Sequence, residues 1–541
     1  MRALIYPFAL LVLVALQPPS ANAQVADADP LEALYREAEA MVEARRGLVA
    51  EIIDQVFSYS ELAFHEVETS RYLVSILREH GFEVEEGISG IPTAWWATWG
   101  SGNPVIAMGS DIDGIPKASQ RPGVAYLDPI VPGAPGHGEG HNSGNALTIV
   151  GAIVLKELME RDGIEGTLVV WPGAAEELVG AKAWFVRDGY FEDVDIALFT
   201  HVSNNLGVGW GGGRGTGLVS VEFTFLGEAA HSAGSPWRGR SALDAVELMN
   251  VGWNFRREHL HPNQRSHYVI TDGGDQPNVV PSVASVWYFI REIEYPDIRR
   301  NFDTAIRTAE GAALMTDTEM EYRILGTAWP RHFNRPVAEA VYRHIESVGL
   351  PTWDERDQAL AMAVQLEVGR EPVGLATELQ ELRGPPDMPM SGGSDDIGDI
   401  SWNVPTITLG YPSNIPGLPG HHWSNAIAMA TPIAHKGGEA GTRVLVRTAL
   451  ELLLRPELVE EAWEYFREEQ TADQEYISFI GPDDLPATHM NSGIMAEFRP
   501  LLEPWYFDPS RHGSYLEQLG VEYPTLRPDQ WERVREVLRE R

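Results

Sequence analysis

Apolar residues recur at helical spacing from Pro30 to about Glu68, through Leu31, Leu34, Ala38, Met41 and Val42, then Leu48, Ile52, Ile53 and Val56. Residues 70–80 continue as a further helix, ended by Gly81. Residues 83–85, 93–98 and 105–108 read as strands, the last short, apolar and buried. A helix is expected over 146–161, a buried strand over 166–171, a helix running to about Asp188, and a strand over 195–199. The rhythm changes at the Gly-rich connector 207–217. Beyond it, Val219, Val221, Phe223 and Phe225 alternate as a strand with one exposed face. A helix over 241–255, strands over 267–271 and 285–292 and a helix over 296–315 follow. This strand–helix–strand–strand–helix order predicts a small α+β domain inserted into a larger α/β one, ending near Trp329-Pro330. Helices over 335–348 and 354–367, a buried strand over 404–409 and a helix over 435–454 return to the larger domain. The tail from Pro456 is helical at each end, rich in proline and aromatics between, and carries no recognisable chemistry.

A chain of 541 residues exceeds one ordinary core, in keeping with this division. The formal net charge of −37 argues against nucleic acid or an anionic membrane surface as partner, since both require a basic footprint. There is no cysteine, which removes disulfides, thiolate ligands and a cysteine nucleophile. The N-terminus has the form of a secretory signal. Arg2 is followed by an apolar run over 8–16 and the small-x-small pattern Ala21-Asn22-Ala23, so Gln24 is expected to begin a periplasmic or secreted protein. The run is short for a membrane span, although an uncleaved anchor is the alternative.

Candidate chemistry gathers at the ends of strands. Asp111 and Asp113 follow the strand ending at Met108. Glu176 and Glu177 stand at a strand-to-helix junction, and Thr200-His201 ends the next strand. Open α/β sheets place their sites at such positions. The loop before the helix at 146 carries His137, Glu139 and His141 at alternating positions. On an extended backbone these three would face one point, and their ligand types suit zinc, manganese or cobalt. Each feature alone reads equally as a turn or a Gly-rich surface loop. Their recurrence at similar junctions favours a functional site.

Five blocks in order over about 100–455 carry a family resemblance. They are Ser110-Asp-Ile-Asp-Gly-Ile-Pro116, His137-Gly-Glu-Gly-His-Asn142, Ala175-Glu-Glu177, Ala230-His231, and the stretch 393–402 followed by His421-His-Trp423 and His435-Lys436-Gly437. Together they resemble the dinuclear metallo-amidohydrolases of the aminoacylase and carboxypeptidase G superfamily. The similar branch is that of the p-aminobenzoyl-glutamate hydrolase B subunit and the indole-acetyl-amino-acid hydrolases. The stretches 235–245 and 271–281 also look like that branch. The resemblance implies an α/β catalytic domain with a mixed central sheet flanked by helices, and an inserted α+β lid through which the chain forms a homodimer. The corresponding division is 1–23 signal peptide, 24–215 and 331–455 catalytic domain, 216–330 lid, and 456–541 C-terminal extension.

The family's metal ligands, carried onto this chain, fall on Glu139, His141, Glu177, His201 and His421, with His422 as the alternative to His421. They imply two divalent ions per chain, zinc first, manganese or cobalt otherwise. The branch has cysteine where this chain has Glu139, so the fifth ligand is expected to be a substituted one, with loss of a site the alternative. Glu139 lowers thiophilic selectivity and removes an oxidisable group. Glu176 is the implied general base and Asp113 the residue orienting a ligand imidazole or the base. His231 is expected to reach the partner subunit's site and stabilise an oxyanion. Asn278 and Arg291 are the candidates for the substrate carboxylate, with an ordinary ion pair the other reading of Arg291. His137 and His435-Lys436 are supporting candidates, and Trp210, Trp237 and Trp423 candidates for an aryl or acyl pocket.

The expected activity is hydrolysis of the amide bond of N-acyl or N-aroyl amino acids, aminobenzoyl-glutamate-like, by a metal-activated water with a glutamate base. A dipeptidase or carboxypeptidase built on the same site is the alternative enzyme. A catalytically silent, metal-stabilised binding protein is the alternative of another class. Glu176 argues against that last reading, because a silent protein has no use for a base beside the ligands.

Overall fold

The computed structural model describes residues 30–389 and 392–540. The signal-peptide and Gln24 readings lie outside them. Two sheets organise the chain. The first has six strands: β1 (Glu83–Glu86), β2 (Trp95–Ser101), β3 (Val105–Asp111), β4 (Gly166–Gly173), β5 (Ile196–Ser203) and β10 (Thr406–Pro412). Their order is β1-β2-β4-β3-β5-β10. β1, β2 and β4 pair antiparallel, whereas β4, β3, β5 and β10 run parallel, so the sheet is mixed.

Register in the parallel half builds the site. Asp111 stands opposite Gly173, Ser110 opposite Thr200, and His201 opposite Gly410. The segments leaving β3, β4 and β5 therefore emerge side by side at one edge. Apolar side chains such as Ile106, Met108, Leu168, Val170, Leu198 and Phe199 are fully buried within this sheet. The helix Gly144–Asp162, buried from Gly144 to Leu155, and the long helix Pro432–Leu454 pack against each other, Leu147 lying over Gly441. Near-continuous apolar strands are what a sheet covered on both faces demands.

The second sheet is antiparallel throughout, with its strands in the spatial order 265–272, 283–292, 217–226 and 319–328. It comprises β6 (Gly217–Leu226), β7 (Arg265–Asp272), β8 (Val283–Glu292) and β9 (Glu319–Ala328). The helices Ala242–Arg257 and Tyr295–Thr316 bury Trp253 and Phe302 against Phe223, Phe225 and Tyr288. β9 is an addition to the expected order. Its first half is charged and exposed, so no apolar run announces it, but Met320, Tyr322 and Ile324 alternate.

Other elements depart from expectation in detail. The helix expected to reach Glu68 ends at Tyr59, where Ser60 takes φ 51, and a new helix begins at Val67. The stretch after β4 is not a continuous helix. It is a 3-10 turn at Glu176–Leu178 followed by the short helix Lys182–Arg187.

The C-terminal extension docks against both sheets' surroundings. Tyr515 N donates to Asp54 at 2.9 Å, and Phe507 N donates to Ser58 Oγ at 3.0 Å. Arg499 ion-pairs with the fully buried Glu61. Phe479 and Ile480 enter the core of the second sheet. No helix among the described residues is long and apolar enough to cross a membrane.

Candidate metal centre

A cavity of about 450 Å³ opens at the edge where β3, β4 and β5 end. Glu139, His141, Glu176, Glu177, His201 and His421 all line it. The five residues expected as metal ligands and the expected base thus converge on one space.

Two imidazoles are fixed through one nitrogen each. His141 Nδ1 lies 3.3 Å from Asp113 Oδ1, and its Nε2 is buried without a hydrogen-bond partner. His201 Nδ1 lies 2.8 Å from the Val202 carbonyl. A carbonyl only accepts, so Nδ1 carries the proton and Nε2 keeps its lone pair. The two rings meet edge-to-face with centroids 5.3 Å apart. An imidazole anchored through Nδ1 with a bare Nε2 is the preparation that a metal-ligating histidine requires. Burial opposes charge on His141. Even so, its hydrogen bond to Asp113 and the carboxylates of Asp111, Glu176 and Glu177 hold its pKa well above the usual histidine range.

The carboxylates divide in position. Glu176 Oε2 stands 3.8 Å from His141 Nε2, whereas Glu177 Oε2 stands 3.4 Å from His421 Nε2. Glu139 Oε2 is 3.7 Å from the same His421 nitrogen. Asp113 is fully buried and ties the groups together, since its second oxygen accepts the Glu177 N–H at 3.0 Å. Burial, with Asp111 and Asp395 beside it, pushes Glu176 well above the usual carboxylate range. Glu177 is raised to about 8, chiefly by burial.

The backbone holding these groups is strained. Ala175 (φ 53) and Val179 (φ 49) flank the Glu176–Leu178 turn, and left-handed backbone is costly for a β-branched valine. Both ends are held by distant parts of the chain. The buried Glu66 accepts the Ala175 N–H at 2.7 Å, and the Val179 carbonyl accepts Thr327 N–H of β9 at 3.0 Å. β9 comes this close because residue 326 is glycine; a methyl group there would overlap the Leu178 and Val179 carbonyl oxygens. His421 is itself left-handed, with φ 48.

The neighbouring His422 is accounted for otherwise. Its Nδ1 accepts the Ser424 N–H and caps the turn Trp423–Ala426, so His421 is the histidine of the pair that reaches the cavity. His137 does not share a direction with Glu139 and His141. Its Nε2 bonds the Val56 carbonyl inside the core at 3.1 Å, while Gly140, with φ 116, turns the chain between Glu139 and His141. Burial drives the pKa of His137 down to about 3. His435 pairs with Asp54, and Lys436 with Asp354 and Asp357, so neither serves the cavity.

Arg291 lines the cavity, donates to Ser394 Oγ at 2.8 Å and stacks over Phe289. Asn278 and His231 do not line it. Both are exposed on the second domain, where the Asn278 carbonyl accepts the Ser232 N–H. Of the three tryptophans, Trp210 lines the cavity. Trp237 is 78% exposed, and Trp423 packs on the main core.

Several residues at the site were not anticipated. Lys182 is fully buried, 2.7 Å from Asp111 Oδ1, 3.6 Å from Asp395 Oδ1 and in contact with Asp396. Burial opposes its charge, yet these carboxylates hold its pKa well above the ordinary lysine value. Arg214, Arg331 and Arg383 also line the cavity. Nothing about a lone lysine in a short helix marks it out. The paired acids Asp395-Asp396 in a turn-rich loop were the available signal.

The residues fit a pair of divalent cations. His141 Nε2 and Glu177 Oε1 are buried polar atoms without partners, at the centre of the convergent set. Asp111, Glu176, Asp395 and Asp396 are crowded around a single buried ammonium. Buried carboxylates in such excess require further positive charge. Histidine and carboxylate donors are those of zinc, cobalt and manganese sites.

Comparisons with known proteins agree with this geometry. Residues 215–311 match the family model described as the peptidase dimerisation domain. The chain is 34% identical over 458 residues to the B subunit of p-aminobenzoyl-glutamate hydrolase of Escherichia coli (strain K12), a match covering 80% of this chain and 94% of that one. It is 27% identical to the Xaa-Arg dipeptidase of Homo sapiens, covering 80% and 91%. The crystal structure of aminobenzoyl-glutamate utilization protein from Klebsiella pneumoniae shares the fold, with TM-score 0.50 at 19% identity over 78% of this chain and 98% of that one.

Proposed function

The chain belongs to the M20 family of metal-dependent peptidases and amidohydrolases, and from that membership we propose that it cleaves the amide bond of N-aroyl or N-acyl amino acids with an acidic amino-acid portion. The observation that carries this reading is the cavity's charge. In a chain of net charge −37, Arg214, Arg291, Arg331 and Arg383 line the space beside the carboxylate and histidine cluster. Burial depresses the pKa of Arg383, and Arg214 and Arg331 beside it lower it further. Guanidinium groups brought together in this way suit a substrate with more than one carboxylate, each bound as a fork. The same charge disfavours a basic side chain, which argues against the Xaa-Arg dipeptidase activity of one relative.

Glu139, His141, Glu177, His201 and His421 would hold two divalent cations, zinc first. The chemistry supplied by such a pair when bound is a water acidified toward about pKa 7 and polarisation of the amide carbonyl. Glu176 then takes the water's proton as attack begins and returns it to the leaving amine nitrogen. Its buried setting suits this work, because a carboxylate of raised pKa holds a proton long enough to deliver it. Asp113 keeps the His141 ring and the Glu177 backbone in register for the reaction. Arg291 orients the substrate carboxylate from the second domain.

The lid pairs with a second copy, and His231 and Asn278 then serve the partner's site. This part of the reading is supported by their exposure and by Leu248, Val251 and Phe255, which are exposed along one helix of that domain. The division into 24–215, 216–330, 331–455 and 456–541, and a periplasmic or secreted location, complete the proposal from sequence.

A panel of amides tests it. The zinc- or manganese-loaded protein should hydrolyse aminobenzoyl-glutamate with kcat/KM about tenfold or more above the conjugate of a neutral amino acid of similar size. That is the factor about 1.4 kcal/mol of added transition-state binding represents. Preference for dipeptides ending in a basic residue would overturn the substrate assignment.

A further inference from the structure

Asp111, the last residue of β3, is 1% exposed, and its two oxygens have unlike surroundings. Oδ1 accepts from Lys182 Nζ at 2.7 Å, which fixes the carboxylate plane. Oδ2 is buried with no hydrogen-bond partner. A ligand atom from each of Asp111, His141 and His201 lies within 4.8 Å of the other two. An anionic oxygen so enclosed is stable only against a positive charge. Lys182 serves the other oxygen, and of the two imidazoles beside it His141 keeps its Nε2 buried without a hydrogen-bond partner.

We propose that Asp111 is a direct ligand of the inner divalent cation, completing with His141 and His201 a buried position distinct from the outer one at Glu139, Glu177 and His421. The inference rests on the metal-dependent reading of the site. The side chain of Glu139 is 27% exposed and stands 3.7 Å from His421, whereas Asp111 is the carboxylate gathered with both His141 and His201. Lys182 then plays the part of the group that hydrogen-bonds a ligating carboxylate and sets its orientation. Two imidazoles and a carboxylate form an inner position with no need of a thiolate, consistent with a chain that has no cysteine.

The test is metal binding without substrate. Metal-free full-length protein is titrated with zinc against a competing chelator, as wild type, Asp111→Asn and Asp113→Asn. The proposal expects two sites in the wild type. In Asp111→Asn one site is retained, and the other is weakened by more than the roughly 10–100-fold that losing an outer hydrogen-bond partner costs. Asp113→Asn, which removes only the partner of the His141 ring, should stay within that range. Two sites of unchanged affinity in Asp111→Asn, or a loss no larger than that of Asp113→Asn, would overturn it. Should the variant not fold, a crystal structure of the zinc-loaded wild type decides. An Oδ2–zinc distance of about 2.0–2.2 Å is expected, and an Asp111 carboxylate outside the coordination sphere overturns the assignment. A wild-type protein that binds no divalent cation defeats the hydrolytic reading as well, whereas two tight sites in Asp111→Asn defeat this inference alone.

Discussion

Glu176→Gln is expected to lower kcat by about 10²–10⁴-fold, the range by which a positioned general base contributes, while bound metal and the unfolding transition stay at wild-type values. The amide is nearly isosteric but cannot accept and return a proton. Glu176 is well suited to show this difference. It sits on the same strained turn as Glu177, yet it faces His141 whereas Glu177 faces His421. If the two glutamates shared one role, Glu176→Gln would lose metal together with turnover. Steady-state kinetics on protein of measured metal content separates the cases. Unchanged kcat would remove Glu176 from the mechanism.

Lys182→Met is expected to destabilise the protein by about 3–5 kcal/mol, the cost of stripping a buried ion cluster of one member. Methionine fills much of the same volume, so the loss is of charge rather than packing. Asp111, Asp395 and Asp396 would be left facing one another without their ammonium. The backbone consequences are local and readable, because Asp396 also accepts the Ala181 and Lys182 N–H groups. Chemical unfolding of the metal-free protein measures the effect. A change below about 1 kcal/mol would mean that the carboxylates are already neutral and that the cluster is not ionic.

The sequence and the structure agree most closely where chemistry sits at the end of a strand. Glu176, Glu177 and His201 each follow an apolar run short enough to be a buried strand. Parallel register then brings them to one edge, as Ser110 opposite Thr200 and Asp111 opposite Gly173 make visible. His141 and Glu139 were legible because a Gly-rich loop with ligand-type side chains before a helix is a recognisable pattern. His137 was drawn in by the same pattern, but alternation places side chains on one side only where the backbone is extended, and its ring instead bonds the Val56 carbonyl inside the core. Lys182 could not be read, because its meaning lies in Asp111, 71 residues earlier, and Asp396, 214 residues later. Arg331 and Arg383 were invisible likewise, since a surface arginine and a cavity arginine look alike until the chain returns from the second domain. β9 was missed because its exposed half is charged, although the alternation of Met320, Tyr322 and Ile324 was there to be read.

If catalysis belongs to a pair of metal ions held by the residues lining this one cavity, activity must follow metal content. Elemental analysis of extensively dialysed, active protein, paired with activity before and after chelation, tests it most directly. About two divalent ions per chain are expected, with loss of activity on chelation and its return when zinc, manganese or cobalt is restored. Full activity in protein carrying less than one metal ion per chain would contradict it.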